Sequence, residues 1–399
     1  MKPLAPAFER RGPLSAVFSL RLAWWRVDWH VLALALALLA FGLFVVRSIA
    51  LSDAEFGREG VDFSSHLKKV VLAAPMLVLG LTLRPRWLRR NAWGLYAGSI
   101  ALLVLVALFG DVRNNARRWI ELPLIGFDLQ PSELAKLGLI IALARVLYTS
   151  RLERWRDWRA PVAVTLLPMG LVALQPDLGT AISMAPVCVG MLYLAGAAPS
   201  RMLQIALGLA VVAVLAYQFE WIRDYQLQRV NTWLDSFSSS ALIEGRNGPA
   251  FHTYHARVVI GNGGWWGRGL GNGVANEASR LPERDCDSVF AVIAEEAGFV
   301  GASGVLLLYV LLVVLLLASA GQIRERFSRL VVAGVGLHFC AHLLVNVGVN
   351  LGLAPMTGLP LPLISTGGSS MLATFAALGL ALGLAAQREA TLDEDAFRD

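Results

Sequence analysis

Long apolar segments separated by short polar connections run along almost the whole chain. We predict ten membrane-spanning segments, at residues 30–50, 66–83, 92–110, 131–149, 161–175, 178–195, 202–220, 287–319, 330–349 and 363–386. Most approach the roughly 20 residues that a helix needs to cross a bilayer. A transmembrane barrel would instead show alternating segments of about ten residues. The pattern therefore predicts an all-α integral membrane protein with about ten transmembrane helices.

The eighth segment, residues 287–319, is longer than a membrane crossing requires. At a rise of about 1.5 Å per residue it would extend nearly 50 Å, against a hydrocarbon core of about 30 Å. We expect its first turns to project outward or to line a cavity.

Composition supports a membrane protein and excludes the usual soluble globular class. Hydrophobic residues make up 56% of the 399 residues and charged residues only 16%, where a soluble domain has about a quarter. The three cysteines are widely scattered and odd in number, so no disulfide framework is predicted. We attribute the net charge of +6 first to the excess of basic residues on the cytoplasmic side that membrane proteins show. No nucleic-acid partner is expected.

Lysine and arginine are distributed unequally between the two sets of connections. The terminal tails and the connections on the same side hold 19 of them, whereas the short connections opposite hold 4. The positive-inside rule then places both termini in the cytoplasm. We predict a cytoplasmic tail at 1–29, a membrane domain at 30–386 and a second cytoplasmic tail at 387–399, with a large extracytoplasmic loop at 221–286 between helices 7 and 8.

The 221–286 loop contains the glycine-rich stretch ARVVIGNGGWWGRGLGNG. Its glycines resemble a phosphate-binding loop only superficially, because no strand precedes them and no soluble helix follows. A nucleotide-binding function is therefore disfavoured.

Ionisable residues inside predicted spans require an explanation, since each costs at least about 2.5–3.5 kcal/mol at the bilayer centre. Glu133 and Lys136 in QPSELAK are three residues apart on one helix face. They are either an internal ion pair or groups that grip substrate. Asp177 in QPDLGT is either a polar turn residue or a second acid in an outward cavity.

Two histidine pairs are candidate metal ligands. His338 and His342 share a helix face, and His252 and His255 lie in the long loop. Neither pair has a third ligand nearby in sequence, so polar packing is the favoured interpretation and no metal site is predicted.

The stretch RDCDSVFAVIAEEAGFVG, from Arg284, places three acids at the start of the eighth segment. At 100° per residue, Glu295 lies about 80° around the helix from Asp287 and Glu296 lies nearly opposite, so they form no single cluster. We interpret the glutamates as structural and Asp287 as functional. Arg284 and Asp285 are expected on the solvent side.

Five stretches together resemble the SEDS proteins of bacteria, the family of RodA and FtsW. They are ARRWIELPLIGFDLQPSELAK, LQPDLGTA, IGNGGWWGRGLGNG, SRLPERDCDSVFAVIAEEAGFVG and PMTGLPLPLISTGGSS, in order from residue 116 to 370. The resemblance implies a multi-pass protein of the bacterial plasma membrane that polymerises lipid II on its outer face. It also implies a class B penicillin-binding protein as partner, with other elongation or division proteins. Some motifs favour the division branch and others the elongation branch.

By the same resemblance, Asp287 falls on the family's catalytic acid. Glu133, Lys136 and Asp177 fall on its other polar cavity positions. The chain departs from the family pattern at Ser288, where an aromatic is usual, and at Thr366, where tyrosine is usual. Asp285 and Cys286 are also unusual for the family.

The reaction that the resemblance implies needs one general base to take a proton from an acceptor hydroxyl. A diphosphate leaving group departs without a strong acid, unlike the two-carboxylate arrangement of glycoside hydrolysis. Its charge needs cations, for which Arg117, Arg118, Lys136 and Arg257 are candidates, with a bridging Mg or Mn ion left open. A lipid II flippase and a non-enzymatic scaffold for a transpeptidase are the alternatives.

Overall fold

The computed structural model describes residues 17, 26–55, 60, 62–113, 116–122, 127–218, 224–248, 250–273, 281 and 283–387. Most of them are helical. The helices are α1 Trp29–Glu55, α2 Phe63–Thr82, α3 Pro85–Phe109, α4 Pro131–Leu147, α5 Arg159–Leu174, α6 Leu178–Leu194, α7 Pro199–Gln218, α8 Asp224–Asp235, α9 Ser239–Glu244, α10 Phe251–Asn262, α11 Val289–Gly321, α12 Arg326–Asn350 and α13 Gly368–Ala386.

Each predicted apolar segment overlaps one of these helices. Within the described residues, seven helices are long and apolar enough to cross a membrane: α1, α2, α3, α5 with its preceding turn, α11, α12 and α13. Helix α6 is apolar but shorter. The chain is therefore a multi-pass helical membrane protein. Most of the predicted tails, 1–29 and 387–399, lies outside the described residues.

The helices at the centre of the bundle approach one another through glycine. Helix α13, which is buried along nearly its whole length, packs against α2. A Cβ at Gly379 would stand 2.1 Å from the carbonyl oxygen of Leu77, and one at Gly383 would stand 2.5 Å from that of Leu81. Small residues permit this backbone contact, which is a main source of helix association in membranes.

A small antiparallel sheet that the apolar pattern did not predict connects α3 to α4. Its strands are β1 Asp111–Arg113, β2 Ala116–Leu122 and β3 Phe127–Leu129, in that order. Ile120 pairs with Leu129 and Leu122 with Phe127. The sheet leads directly into Pro131, the first residue of α4, where the missing N–H of proline is harmless.

The predicted 221–286 loop is partly helical and contains α8, α9 and α10. Residues 263–269 then run beside α11, which is broken at Gly298 (φ 68°, ψ −170°). Arg268 and Gly269 donate their N–H groups to the carbonyls of Glu295 and Glu296, at 2.9 and 3.0 Å. Phe299 and Val300 donate to the carbonyls of Gly264 and Trp265. The loop thus satisfies the backbone groups that the kink frees from the helix.

Glycine is required at this crossing by space as well as by torsion angle. A Cβ on Gly263 would lie 1.9 Å from the carbonyl oxygen of Ala294, and one on Gly267 (φ +78°) would lie 2.1 Å from that of Glu296. The glycine-rich stretch therefore serves close packing of loop against helix. The kink also explains how a helix of 33 residues is accommodated although it is longer than a bilayer crossing requires. Its first turns are buried within the protein and do not continue straight outward.

Candidate active site

Asp287 lies immediately before α11, and the next residue, Ser288, is the N-cap of that helix. Its side chain is buried, with 6% of the residue exposed. The backbone carbonyl of Asp287 accepts hydrogen bonds from the side-chain amides of Asn346 (3.0 Å) and Asn350 (2.9 Å) on α12. Helix α12 thus holds the backbone of Asp287 without using its carboxylate.

The carboxylate of Asp287 faces His252 and Ser288. Its Oδ1 lies 3.7 Å from Nε2 of His252, which lies 2.8 Å from Oγ of Ser288. The Ser288 hydroxyl is 3.4 Å from the same Oδ1. Among the described residues, Asp287 forms no ion pair with lysine or arginine. Gly358 (φ +67°) borders Oδ2, since a Cβ there would stand 3.7 Å from that oxygen.

The residues just before Asp287 are not on the solvent side, so that expectation was wrong. Arg284 is buried and ion-pairs with Asp53, which is itself buried near the end of α1. Asp285 is half-buried and accepts a hydrogen bond of 2.5 Å from the hydroxyl of Thr366. The N–H of Thr366 also donates to the Asp285 carbonyl, at 3.0 Å. These contacts form because the segment is packed between α1 and the chain that precedes α13.

Two of the residues that depart from the SEDS pattern therefore contact each other. Asp285 stands where the pattern is unusual and Thr366 stands in place of tyrosine, and they share the two hydrogen bonds above. A third departure, Ser288, contacts His252. Asp285 and Thr366 thus form one hydrogen-bonded pair beside Asp287, and Ser288 forms another with His252.

The region around Asp287 carries several negative charges. Desolvation, followed by the nearby carboxylates of Asp287 and Asp285, raises the pKa of Glu283. His252 partly opposes this shift. The negative potential of these carboxylates would stabilise a cation, either free or bound to a diphosphate. It would not stabilise an anion that lacks a bound cation.

Residues 357–360 lie between Asp287 and Asp177, the other acid predicted to line the cavity. The carbonyl of Thr357 packs against Gly179, where a Cβ would stand 2.0 Å from the oxygen. The next residue, Gly358, borders the Asp287 carboxylate. Asp177 is the N-cap of α6 and accepts from the N–H of Thr180. The two acids therefore lie on either side of one stretch of chain.

The structure brings two of the predicted site residues, Arg118 and Asp177, together. Oδ1 of Asp177 lies 4.0 Å from Nη1 of Arg118, and Oδ2 accepts from the amide of Gln130 at 3.1 Å. Arg118 also donates to the carbonyls of Gln175 (2.9 Å) and Pro176. The arginine thus fastens β2 to the turn that precedes α6.

Glu133 and Lys136 form a buried pair, with Nζ 2.7 Å from Oε1 and each residue 3% exposed. Lys136 Nζ also lies 2.8 Å from Nε2 of His342, whose Nδ1 lies 3.1 Å from the carbonyl oxygen of Pro360. Because a carbonyl oxygen can only accept, Nδ1 of His342 donates to Pro360, and Nε2 faces the Lys136 ammonium position. Both ring nitrogens of His342 are thereby engaged.

The remaining predicted cations contact backbone carbonyls. Arg117, on the face of β2 opposite to Arg118, is exposed and donates to Leu108 at 3.0 Å. Arg257 donates to the carbonyls of Leu351, Ser236 and Gly352 at 3.1, 2.7 and 3.2 Å. It therefore ties α10 to the C-terminal end of α12.

Glu295 and Glu296 are fully buried and bind the protein itself. Glu296 accepts from the Ser48 hydroxyl at 2.9 Å and from the N–H of Gly271 at 3.1 Å. Glu295 accepts a longer bond, 3.4 Å, from the amide of Asn262. As expected, Asp287, Glu295 and Glu296 form no single cluster.

The most informative residues that sequence reasoning missed lie on α12. Polar side chains recur there every four residues, at His338, His342, Asn346 and Asn350, on one face of an otherwise apolar helix. The sequence-based interpretation includes only the two histidines, as candidate metal ligands. The four-residue period was the available signal, because it aligns the polar groups along a single face.

A cavity of about 280 Å³ lies on the loop side of His252. It is lined by residues of α8, α10 and the chain before Thr357, among them Arg229, Trp233 and Met356. An aromatic ring beside polar side chains is a surface suited to a sugar. The cavity is therefore a candidate place for a saccharide near Asp287.

Comparison with known proteins gives the same family along almost the entire chain. The family described as "Cell cycle protein" (FTSW_RODA_SPOVE) matches residues 28–390. The chain is 31% identical over 364 residues to "Peptidoglycan glycosyltransferase MrdB" of Escherichia coli, covering 91% of this chain and 94% of that protein. It is 36% identical over 370 residues to "Probable peptidoglycan glycosyltransferase FtsW" of Thiomicrospira cyclica, covering 89% and 91%.

Solved structures agree. One chain from a study of structural coordination of polymerization and crosslinking by a peptidoglycan synthase complex matches with a TM-score of 0.76 at 33% identity, covering 91% of this chain and 98% of that one. The rod shape determining protein RodA of Thermus thermophilus matches with a TM-score of 0.67 at 32% identity, covering 92% and 99%. The chain belongs to this family, which is the SEDS family.

Proposed function

We propose that this SEDS protein is a peptidoglycan glycosyltransferase that polymerises lipid II, with Asp287 as its general base. The observation that carries the proposal is the state of the Asp287 side chain. It is buried, its backbone is held by two asparagines, and its carboxylate is not neutralised by a lysine or arginine among the described residues. The relatives named peptidoglycan glycosyltransferase supply the reaction class.

In the proposed step, the 4-hydroxyl of an acceptor GlcNAc attacks the anomeric carbon of the donor sugar. The Asp287 carboxylate takes the hydroxyl proton as the new C–O bond forms. The bond from the anomeric carbon to the diphosphate oxygen breaks, and the polyprenyl diphosphate leaves with the electron pair. Asp287 then loses its proton to solvent, which restores the base.

His252 and Ser288 are proposed as positioning residues for this carboxylate. The imidazole and the hydroxyl contact each other and both lie close to Oδ1. Such contacts restrict the rotamer of Asp287 and leave Oδ2, beside Gly358, for the acceptor hydroxyl. Precise placement matters because a shift of about 1 Å can cost roughly 10²-fold in rate.

Arg117, Arg118, Lys136 and Arg257 stay the proposed cations for substrate phosphates, with Glu133 and Asp177 as their acidic neighbours. Arg117 is exposed, and the other three are partly or wholly buried against the protein. Their positive charges would stabilise the negative charge of the diphosphate electrostatically. Arg118 lies nearest to Asp177, across residues 357–360 from Asp287.

A divalent cation, Mg or Mn, is a further proposal. In the part of the chain that the structure describes, no group of three or more histidine, cysteine or acidic side chains is arranged to hold one. Mg²⁺ in phosphate chemistry is usually held by one or two carboxylates together with the substrate phosphates. Asp287 or Asp285 would supply such a carboxylate, and the ion would reduce the charge of the leaving group.

The proposed setting is the outer face of the plasma membrane, with ten spans, both termini cytoplasmic and the 221–286 loop outside. The unequal distribution of lysine and arginine supports this orientation. We further propose a class B penicillin-binding protein as partner, within the elongation or division machinery. A matching solved chain comes from a complex that coordinates polymerization with crosslinking.

Polymerisation of lipid II by the purified protein in detergent tests the function. Glycan strands on a gel, formed with or without an added class B penicillin-binding protein, are the expected result. A flippase would give no polymer, since detergent leaves no membrane to cross. A scaffold would give none either, and would keep its cellular role when Asp287 is replaced. Polymer that is unchanged in Asp287→Asn would overturn the assignment of the base.

A further inference from the structure

A groove of about 380 Å³ lies beside α1, away from Asp287 and from the candidate sugar cavity. Its walls are α1 and the turn at residues 270–272. Phe44 and Leu51 line it and are more than half exposed, so the groove opens to the outside of the bundle. In a membrane-spanning helix that exposed surface is the lipid-facing surface.

Arg47 stands in this groove and is the feature that needs an explanation. It lies eight residues before the end of α1, which corresponds to about 12 Å along the helix axis. Its side chain is exposed and makes no hydrogen bond or ion pair with any residue that the structure describes. A guanidinium in a span is costly unless an acceptor or water meets it.

The groove is held in shape by a buried acid behind it. Glu296 accepts from Ser48 on α1 and from the N–H of Gly271 in the turn, so one carboxylate joins the two walls. Glu296 is 2% exposed, and its side-chain oxygens accept these bonds. The groove therefore does not depend on a ligand for its form.

Further donors lie near the arginine. The hydroxyl of Ser52, between one and two turns along α1 from Arg47, is buried and has no partner among the described residues. The side chain of Asn272 lines the opposite wall. The acid of the groove, Glu55, lies two turns beyond Arg47 at the exposed end of the helix. The donors thus surround the middle of the groove, and the acid is at its rim.

We propose that this groove binds the phosphate group of a membrane lipid, with Arg47 as the cation. Arginine presents a planar set of donors that matches phosphate oxygens. The apolar chain of the lipid would lie along Phe44 and Leu51 on the lipid-facing side. Two sources share this chemistry. One is a polyprenyl diphosphate, which would rest on the proposed function, and the other is a glycerophospholipid.

Native mass spectrometry of the purified protein with defined lipids tests the inference without requiring polymerase activity. The probes are undecaprenyl diphosphate and phosphatidylglycerol, each compared with its phosphate-free counterpart, undecaprenol and diacylglycerol. We expect the phosphate lipids to be retained and the phosphate-free lipids to be lost. Preference for undecaprenyl diphosphate identifies a substrate or product site, and preference for phosphatidylglycerol identifies a structural lipid.

Arg47→Gln is expected to weaken retention of the phosphate lipids by about tenfold or more, because a charge-assisted hydrogen bond is lost. Arg47→Lys should retain part of the binding, since the charge remains. Arg90→Gln is the matched control, as Arg90 is another exposed arginine at the start of a spanning helix.

Equal retention of phosphate lipids by wild type, Arg47→Gln and Arg90→Gln would overturn the inference, as would equal retention of lipids with and without phosphate. A thermal unfolding scan of each variant in detergent confirms that any loss of lipid is measured on folded protein. If the purified protein forms no polymer but still retains phosphate lipids through Arg47, the proposed function is refuted and this inference stands.

Discussion

Two buried acids flank the part of α11 that precedes the kink at Gly298, and their carboxylates have different hydrogen-bond partners. At the kink, Glu296 accepts hydrogen bonds from Ser48 and Gly271, and its carboxylate joins α1 to the glycine-rich turn. At the mouth of the helix, Asp287 is held through its backbone carbonyl, and its carboxylate meets only a histidine and a serine among the described residues. Burial alone therefore does not distinguish Glu296, which binds the protein, from Asp287, the proposed base. The partners of the oxygens do.

The largest effect is expected from exchanging the two acids for their amides. Asp287→Asn should lower the polymerase rate by roughly the 10²–10⁴-fold typical of a lost general base, because the amide cannot take a proton. Glu296→Gln is the control on the same helix, and its folded fraction should polymerise within a few-fold of wild type. Rates are measured with purified protein at matched lipid II. Comparable losses of rate in both variants would show that Asp287 and Glu296 do not differ in their importance for polymerisation.

The pair Glu133 and Lys136 extends the comparison to an acid that is neutralised by a cation. Lys136→Met alone should reduce stability by about 3–5 kcal/mol, because it leaves a buried carboxylate unpaired. The double variant Glu133→Gln with Lys136→Met should recover most of that loss. The measurement is thermal unfolding in detergent. A double variant no more stable than either single variant would show that the two charges are not coupled.

The kink itself can be tested through its glycine. Gly298→Ala should destabilise the protein by about 3 kcal/mol, since its backbone angles are essentially restricted to glycine and a Cβ would stand 2.3 Å from the nitrogen of Gly267. Gly304→Ala in the same helix is the matched control, because no atom lies within 4 Å of the added Cβ. That control should be neutral or slightly stabilising. Similar unfolding temperatures for the two variants would argue against a structural role for the kink.

The smallest effect is expected at His252. His252→Ala should lower kcat by roughly tenfold with little change in KM, because it loosens the base without removing it. His252→Gln should restore much of the rate if hydrogen bonding to Ser288 is what matters. The pH profile of the alanine variant should still report a single essential base. An unchanged kcat would show that Asp287 needs no support from α10.

Much of this molecule was predictable from local pattern. Apolar segments of bilayer length predict spanning helices, because a backbone in lipid must satisfy its own hydrogen bonds. The spacing of Glu133 and Lys136 predicts their pairing, which the 2.7 Å contact confirms. The short motifs also predict Asp287 as functional, and that role stays a prediction. Each of these conclusions depends on residues within a few turns of one another.

Tertiary structure decided what depends on distant segments. The pairing of Arg284 with Asp53 joins residues 231 positions apart, and nothing in the local pattern of either segment indicates it. The contact between Asp285 and Thr366, the asparagines of α12 behind Asp287, and the turn that crosses α11 at Gly298 are of the same kind. Sequence periodicity determines which face of a helix is polar. Which partner meets that face is determined by how the helices pack, because hydrogen bonds between side chains require atoms within about 3 Å whatever their separation along the chain.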